Sequence, residues 1–179
     1  MVKKVAVTGP ESTGKSRLAR QLADHYNTVY VPEFARGYID SLGRPYEQHD
    51  IVEIARGQLL AEKRAKATAN RFLFCDTELI VTKIWSLHKV GSCDPFILEN
   101  ILENRYDLYL LCDIDLPWEQ DPQREHPHLR KFFFDWYKKE LEGYGFPYEI
   151  IRGMGQQRLE RAIVIIDSTL TAEQRGVIR

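Results

Sequence analysis

Residues 9–16 read Gly9-Pro10-Glu11-Ser12-Thr13-Gly14-Lys15-Ser16, GPESTGKS, which satisfies the phosphate-loop pattern G-x-x-x-x-G-K-[ST]. At ordinary residue frequencies an accidental match in a chain of 179 residues is on the order of 1% or less. The flanks agree with it. Val5-Ala6-Val7 is an apolar run that stops at Thr8-Gly9-Pro10, as a buried strand does at a sheet edge. After the loop, KSRLARQLADHY sets Leu18, Leu22 and Tyr26 at helical spacing. A strand, a tight loop and a helix N-terminus converge their backbone N–H groups on phosphate oxygens. Lys15 can then neutralise the outer phosphates and Ser16 can place its hydroxyl on Mg²⁺. Gly9 and Gly14 permit the turn, and Glu11, Ser12, Thr13 and Arg17 complete the candidate nucleotide-binding set, with Thr13 offering a further phosphate contact. The competing reading is an ordinary glycine-rich turn carrying a surface lysine.

Working outward, the same alternation repeats. Thr28–Val31 is short, β-branched or aromatic, and closed by Pro32; a helix starts near Glu33 and a longer one spans Gln48–Asn70. RFLFCDT is a strand ending in a carboxylate, and Leu79–Lys89 follows it as a helix. Asp94 and Pro95 are placed as cap and first residue of another helix, and Leu108–Cys112 is the buried part of a further strand. Residues Leu116–His128 are polar, charged and proline-rich, which predicts a surface lid. Leu129–Leu141 returns to helical spacing with Phe132, Phe133, Trp136, Tyr137 and Leu141 available for packing, ahead of a strand at Tyr148–Ile151 and a helix at Gly155–Ile166. Strands separated by helices predict an α/β three-layer sandwich: a mostly parallel sheet of about five strands, helices on both faces, one domain over residues 1–179.

Composition narrows the partners. Against 25 Lys and Arg stand 26 Asp and Glu, so a formal charge of −1 gives no global attraction to nucleic acid or anionic membrane. The three cysteines are too few and scattered for a disulfide framework, and Cys75 and Cys112 lie in apolar runs, which suits a cytoplasmic protein. No apolar stretch approaches a membrane span. Oligomeric state is left open.

Several side chains outside the loop are placed to do chemistry. Asp76 ends a strand where a carboxylate can hold the magnesium water shell, or else caps the next helix. Glu33, after Pro32, can accept a proton from an attacking hydroxyl, or else serve as an N-terminal helix charge. Arg124 in the lid can clamp a transferring phosphoryl group, with Arg130 as a second candidate. Arg36, three residues after Glu33, can bind substrate or phosphate, and Trp85 and Trp118 can stack on a flat ring. Asp113 and Asp115 read as organisers of the loop that follows them. His126 and His128 lack the companions of a zinc site.

GPESTGKS, YVPEFAR, FLFCDTE and DIDLPWEQDPQREHP together resemble the ribosylnicotinamide kinase domain of the NadR family, over about Val2 to Ile166. The resemblance implies a P-loop nucleoside-kinase-like fold, ATP and Mg²⁺, nicotinamide riboside as acceptor, and nicotinamide mononucleotide and ADP as products. It puts Glu33 and Asp76 near acceptor and metal, PWEQDPQR in the lid, and the YEIIRGMGQQRLERA segment near adenine, with Gly153 approaching the base and Arg158 stacking beside it. Pro122-Gln123-Arg124 departs from the family's glycine-containing PWxxDGxR turn. The H-x-G-H signature of the nucleotidyl-transfer module that often accompanies this kinase is absent from the sequence. A kinase for another nucleoside and an ATP-controlled interaction module are the competing functions.

Overall fold

The computed structural model describes residues 1–171, so the end of the domain expected over 1–179 lies outside the described residues. Five strands, β1 (Lys3–Thr8), β2 (Tyr30–Val31), β3 (Phe72–Asp76), β4 (Leu108–Cys112) and β5 (Tyr148–Ile151), form one sheet in the order β2-β3-β1-β4-β5 among the described residues. Every pairing is parallel, with Lys3 opposite Phe72 and Val5 opposite Leu108 in the two ladders of the central strand. The helices are α1 (Lys15–His25), α2 (Phe34–Leu42), α3 (Gln48–Lys66), α4 (Leu79–Val90), α5 (Pro95–Glu103), α6 (Arg130–Tyr144) and α7 (Gly155–Ile166). None is long and apolar enough to cross a membrane.

The period of two along each strand divides the core into two layers. Val5, Val7, Phe72, Phe74, Leu108 and Leu110 face α1 and α7. Ala6, Leu73, Cys75, Tyr109 and Leu111 face the layer built from α3 to α6. Burial on both faces is why these strands read as continuous apolar runs. Cys75 and Cys112 pack as hydrophobes, both fully buried.

Boundaries shifted where side chains took over backbone duties. Expected β2 begins at Thr28, yet Thr28 Oγ1 donates to the Phe72 carbonyl at 2.7 Å and accepts from the Asn70 amide at 2.8 Å, fastening two loops instead of a ladder. Helix α3 stops at Lys66, short of Asn70, because the Ala67 and Thr68 amides turn back to Arg64 and Ala65 in a tighter final turn. Asp94 and Pro95 do open α5, the Asp94 side chain accepting from Phe96 N at 2.8 Å. In α6 the inward stripe is Phe134, Tyr137 and Leu141; Phe132, expected to pack, is 52% exposed.

One cation joins the sheet edge to the loop. Arg158 on α7, 5% exposed, donates to Asp115 Oδ1 at 2.7 Å, to the Gly153 carbonyl at 2.8 Å and to the Thr13 carbonyl at 2.9 Å. It also lies 3.3 Å from the Asp113 carbonyl, and removing it leaves the buried Thr13 carbonyl without this donor. Arg158→Met, which keeps much of the volume, is expected to lower the unfolding free energy by about 2 kcal/mol in urea titration, the cost of leaving the buried Thr13 carbonyl without its donor. A loss under about 0.5 kcal/mol, typical of an ordinary surface site, would contradict this role.

Candidate functional site

The phosphate loop leaves β1 through Gly9 at φ 128° and enters α1 through Gly14 at φ 75°. A methyl group on Gly9 would stand 2.9 Å from the Cys112 carbonyl oxygen, so the loop can cross the end of β4 only without a side chain there. Thr13 is fully buried and its hydroxyl donates to the Pro10 carbonyl at 2.8 Å. The phosphate contact expected of that hydroxyl is therefore replaced by a bond that shapes the loop. Lys15 Nζ donates to the same carbonyl at 2.7 Å, curling over the loop, while Ser16 and Arg17 are exposed on the first turn of α1.

A cavity of about 680 Å³ opens directly from residues 9–17. Glu33 and Arg36 of α2 form one wall, Trp85 of α4 another, and Arg124 reaches over it from the lid. Glu33 stands at the N-cap position of α2 but spends no side-chain bond on capping, which leaves the carboxylate available to the cavity. Asp76 lies behind the loop at the end of β3, 1% exposed, with Oδ1 lacking a hydrogen-bond partner. Burial pushes its carboxyl up to about 6; hydrogen bonding from the Ser16 hydroxyl opposes this, the Glu33 charge adds to it, and the Lys15 charge again opposes. A half-satisfied buried carboxylate beside a serine hydroxyl is a donor set that suits Mg²⁺, which takes one or two protein oxygens and keeps its waters. Thus Lys15, Ser16, Glu33 and Asp76, far apart in sequence, are brought together.

The lid lies down on the loop. Glu119 N donates to Ser12 Oγ at 2.8 Å, and His126 N donates to Glu11 Oε2 at 3.2 Å. Arg124 Nη1 donates to the Glu119 carbonyl at 2.7 Å and lies 3.5 Å from Ser12 Oγ. Arg130 donates to the Ser12 and Leu116 carbonyls at 3.0 and 2.9 Å, hinging the lid rather than facing the cavity. Asp113 and Asp115 brace the turn after β5 rather than the loop that follows them: Arg152 Nε donates to Asp113 at 2.7 Å and Gly153 N donates to Asp115 at 2.6 Å.

Besides Asp76 behind the loop and Arg130 at the hinge, three further expected contacts are absent from the cavity lining. Trp118 is not among its lining residues, although Pro117 and Glu119 on either side are; its indole Nε1 is buried without a partner. Arg158 is 5% exposed and is not among the cavity's lining residues, so little of its guanidinium is open to a stacked ring. Gly153, at φ 97°, serves the β5–α7 turn and donates to Asp115.

Other walls escaped sequence reading. Tyr46 lines the cavity edge-on to Trp85, with ring centroids 4.6 Å apart, and its hydroxyl accepts from Trp85 Nε1 at 2.8 Å. The loop holding Tyr46 is set by a bidentate pair, Arg44 Nη1 and Nη2 to the two oxygens of Asp50 at 2.8 and 2.9 Å. Arg44 and a bond from the Glu47 amide hold the Asp50 carboxyl well below its ordinary range. His88, which no motif marks, lines the cavity and meets the rings of His126 and Phe133, both at 4.9 Å. Glu78 is buried beneath: Oε1 accepts from Thr8 Oγ1 at 2.9 Å and Oε2 from Ile80 N at 2.6 Å, tying β1 to the cap of α4.

Comparison with known proteins extends this geometry. A model of the AAA domain matches residues 4–158. The trifunctional NAD biosynthesis/regulator protein NadR of Salmonella typhimurium is 32% identical over 129 residues, and that of Escherichia coli 33% over 129 residues. Each match covers 69% of this chain and 31% of the relative, so the chain spans about a third of the length of these curated relatives. The crystal structure of NadR protein in complex with NR superposes with a TM-score of 0.79 and 25% identity, over 94% of this chain and 50% of that one. NadR in complex with NAD and AMP-PNP gives 0.76 and 25% over 94% and 49% of the two chains. Deoxyadenosine kinase from M. mycoides shares the fold, with a TM-score of 0.62 at 13% identity over 92% and 99%. The loop at the head of β1 and the match that runs through the sheet to α7 agree: this chain belongs to the AAA domain family of P-loop proteins, with the NadR proteins among its relatives.

Proposed function

We propose that this chain is an ATP-dependent kinase that transfers the γ-phosphoryl group to the ribose 5′-hydroxyl of nicotinamide riboside, giving nicotinamide mononucleotide and ADP. The observation that carries the reading is a single cavity that joins a complete phosphate loop to an uncommitted carboxylate, Glu33, with aromatic walls beyond it. The likeness to NadR solved with NR supports the choice of acceptor.

In the reaction, Lys15 leaves the Pro10 carbonyl for the outer phosphates, where its charge offsets what builds up on the transferring oxygens. Ser16 and Asp76 are the residues that would hold Mg²⁺, which would supply positive charge against the phosphates. Glu33 accepts the proton of the 5′-hydroxyl as it attacks. Tyr46 and Trp85 offer ring faces to the cationic pyridinium of nicotinamide riboside. Arg124, already poised over Ser12, needs only a short rotation to meet the phosphates, and the lid excludes water from them.

Lys15→Ala is expected to lower kcat/KM by about 10²–10³ while circular dichroism stays native, since the lysine contributes charge and not core volume. Unchanged turnover in a folded variant would remove Lys15 from the mechanism. Glu33→Gln keeps size and removes the proton acceptor, so single-turnover phosphorylation should fall by about 10²–10⁴ with ATP affinity preserved. A wild-type rate across neutral pH would make Glu33 a positioning group. Asp76→Asn should raise the Mg²⁺ concentration needed for half-maximal turnover; an unaltered magnesium curve would assign the metal elsewhere.

The acceptor is tested by incubating the chain with ATP, Mg²⁺ and, separately, nicotinamide riboside, nicotinic acid riboside, uridine, cytidine or adenosine, with products identified by mass. The highest kcat/KM is expected for nicotinamide riboside. A preference for a conventional nucleoside would retain the kinase and reject the nicotinamide assignment. No phosphorylated product, together with ATP-controlled capture of a macromolecule, would favour an interaction module.

A further inference from the structure

The lid grips the acceptor wall as well as the phosphate loop. Asp121 to Arg124 form a four-residue turn closed by the Arg124 amide on the Asp121 carbonyl at 3.0 Å, with Pro122 at the position where a fixed φ suits such a turn. Asp121 Oδ1 accepts from the Gln123 amide at 2.9 Å, and Oδ2 pairs with Arg36 Nη1 at 2.9 Å. Gln123 Nε2 then reaches across to α2, donating to Asp40 Oδ1 at 2.6 Å and to the Arg36 carbonyl at 3.3 Å. Arg36 and Asp40 are one helical turn apart, on the helix whose first position Glu33 caps.

From this we infer that Gln123 and Asp40 are positioning residues: their hydrogen bond locks the lid turn to α2 and thereby sets Arg124, the next residue along, over the phosphate loop when the acceptor helix is in place. The inference rests on the kinase reading given above. Arg124 has no comparable anchor of its own, since its reach to Ser12 is 3.5 Å and its firm bond is to Glu119 within the lid. The departure from the glycine-containing turn gains a meaning here. A proline-stiffened turn transmits a pull from α2, whereas glycine would absorb it in backbone freedom. Both side chains are on the accessible surface of their elements, so their loss changes folding stability little.

The test uses the full chain with AMP-PNP, and hydrogen exchange read by mass spectrometry over residues 121–126. Gln123→Ala and Asp40→Ala are each expected to speed exchange there roughly three- to tenfold, the double variant no further, and Asp40→Asn to restore protection because its amide oxygen still accepts from Gln123. Under turnover, kcat should fall by a similar factor in both alanine variants and recover in Asp40→Asn, with KM for ATP unchanged. Wild-type exchange in both alanine variants overturns the latch. Faster exchange with undiminished kcat overturns its link to Arg124. If the wild-type chain does not phosphorylate nicotinamide riboside, the substrate reading alone fails, because the exchange comparison needs no acceptor and still decides the latch.

Discussion

The contact between Gly9 and the Cys112 carbonyl constrains everything built above it. The phosphate loop must leave the central strand and immediately pass the end of its neighbour, at a distance that a single methyl group would violate. Once the chain makes that crossing, the loop has little choice. Thr13 turns inward to Pro10 and its carbonyl is taken by Arg158. Arg158 also holds Asp115 and the turn after β5, so the geometry of the loop and the order of the sheet edge are one problem with one solution. The buried Glu78 does related work on the other side, fastening Thr8 to α4.

Strand ends are where this architecture concentrates its polar side chains. Asp76 closes β3, Glu33 follows β2, and Asp113 and Asp115 follow β4, all at the same edge of a parallel sheet. That coincidence is a property of parallel strands, whose carboxyl ends share one side and open a crevice there. It allows a hydroxyl acceptor and a phosphate donor to be held by groups that are separated by dozens of residues in the chain.

How much of this was legible beforehand differs by element. The loop, the strand cores and the helices α4, α5 and α7 could be read because local chemistry is enough: glycines at fixed offsets, apolar runs, Asp94 with Pro95. Asp76 and Glu33 could be read as strand-end carboxylates, while their approach to each other required the strand order, which no local pattern contains. Arg158 was misassigned because an arginine on an amphipathic helix looks the same in sequence whether it reaches solvent or turns inward to a carboxylate and backbone carbonyls. Trp118 was misassigned because a lid says which residues are near an opening and not which way each turns; alternate residues there face opposite sides. Tyr46 and His88 were missed for the converse reason. Each sits in a segment with no motif, and only the Arg44–Asp50 pair and the packing of α4 against α6 bring them to the cavity wall.

The placement of β1 at the centre of the sheet bears on how the chain comes to be folded. Its two partners are β3 and β4, whose residues follow it by roughly seventy and one hundred positions, as the registers of Lys3 with Phe72 and Val5 with Leu108 record. Closing such long loops precedes any ladder bond, which slows formation of parallel sheets. On a ribosome the first strand therefore emerges with Val5, Ala6 and Val7 exposed and must wait until Cys112 is out before both of its edges are covered. The phosphate loop, which precedes Cys112 by about a hundred residues, cannot take its final shape until the carbonyl of Cys112 arrives beneath Gly9. During that interval the nascent chain carries an unpaired apolar strand, the kind of segment that makes partly folded chains prone to aggregate.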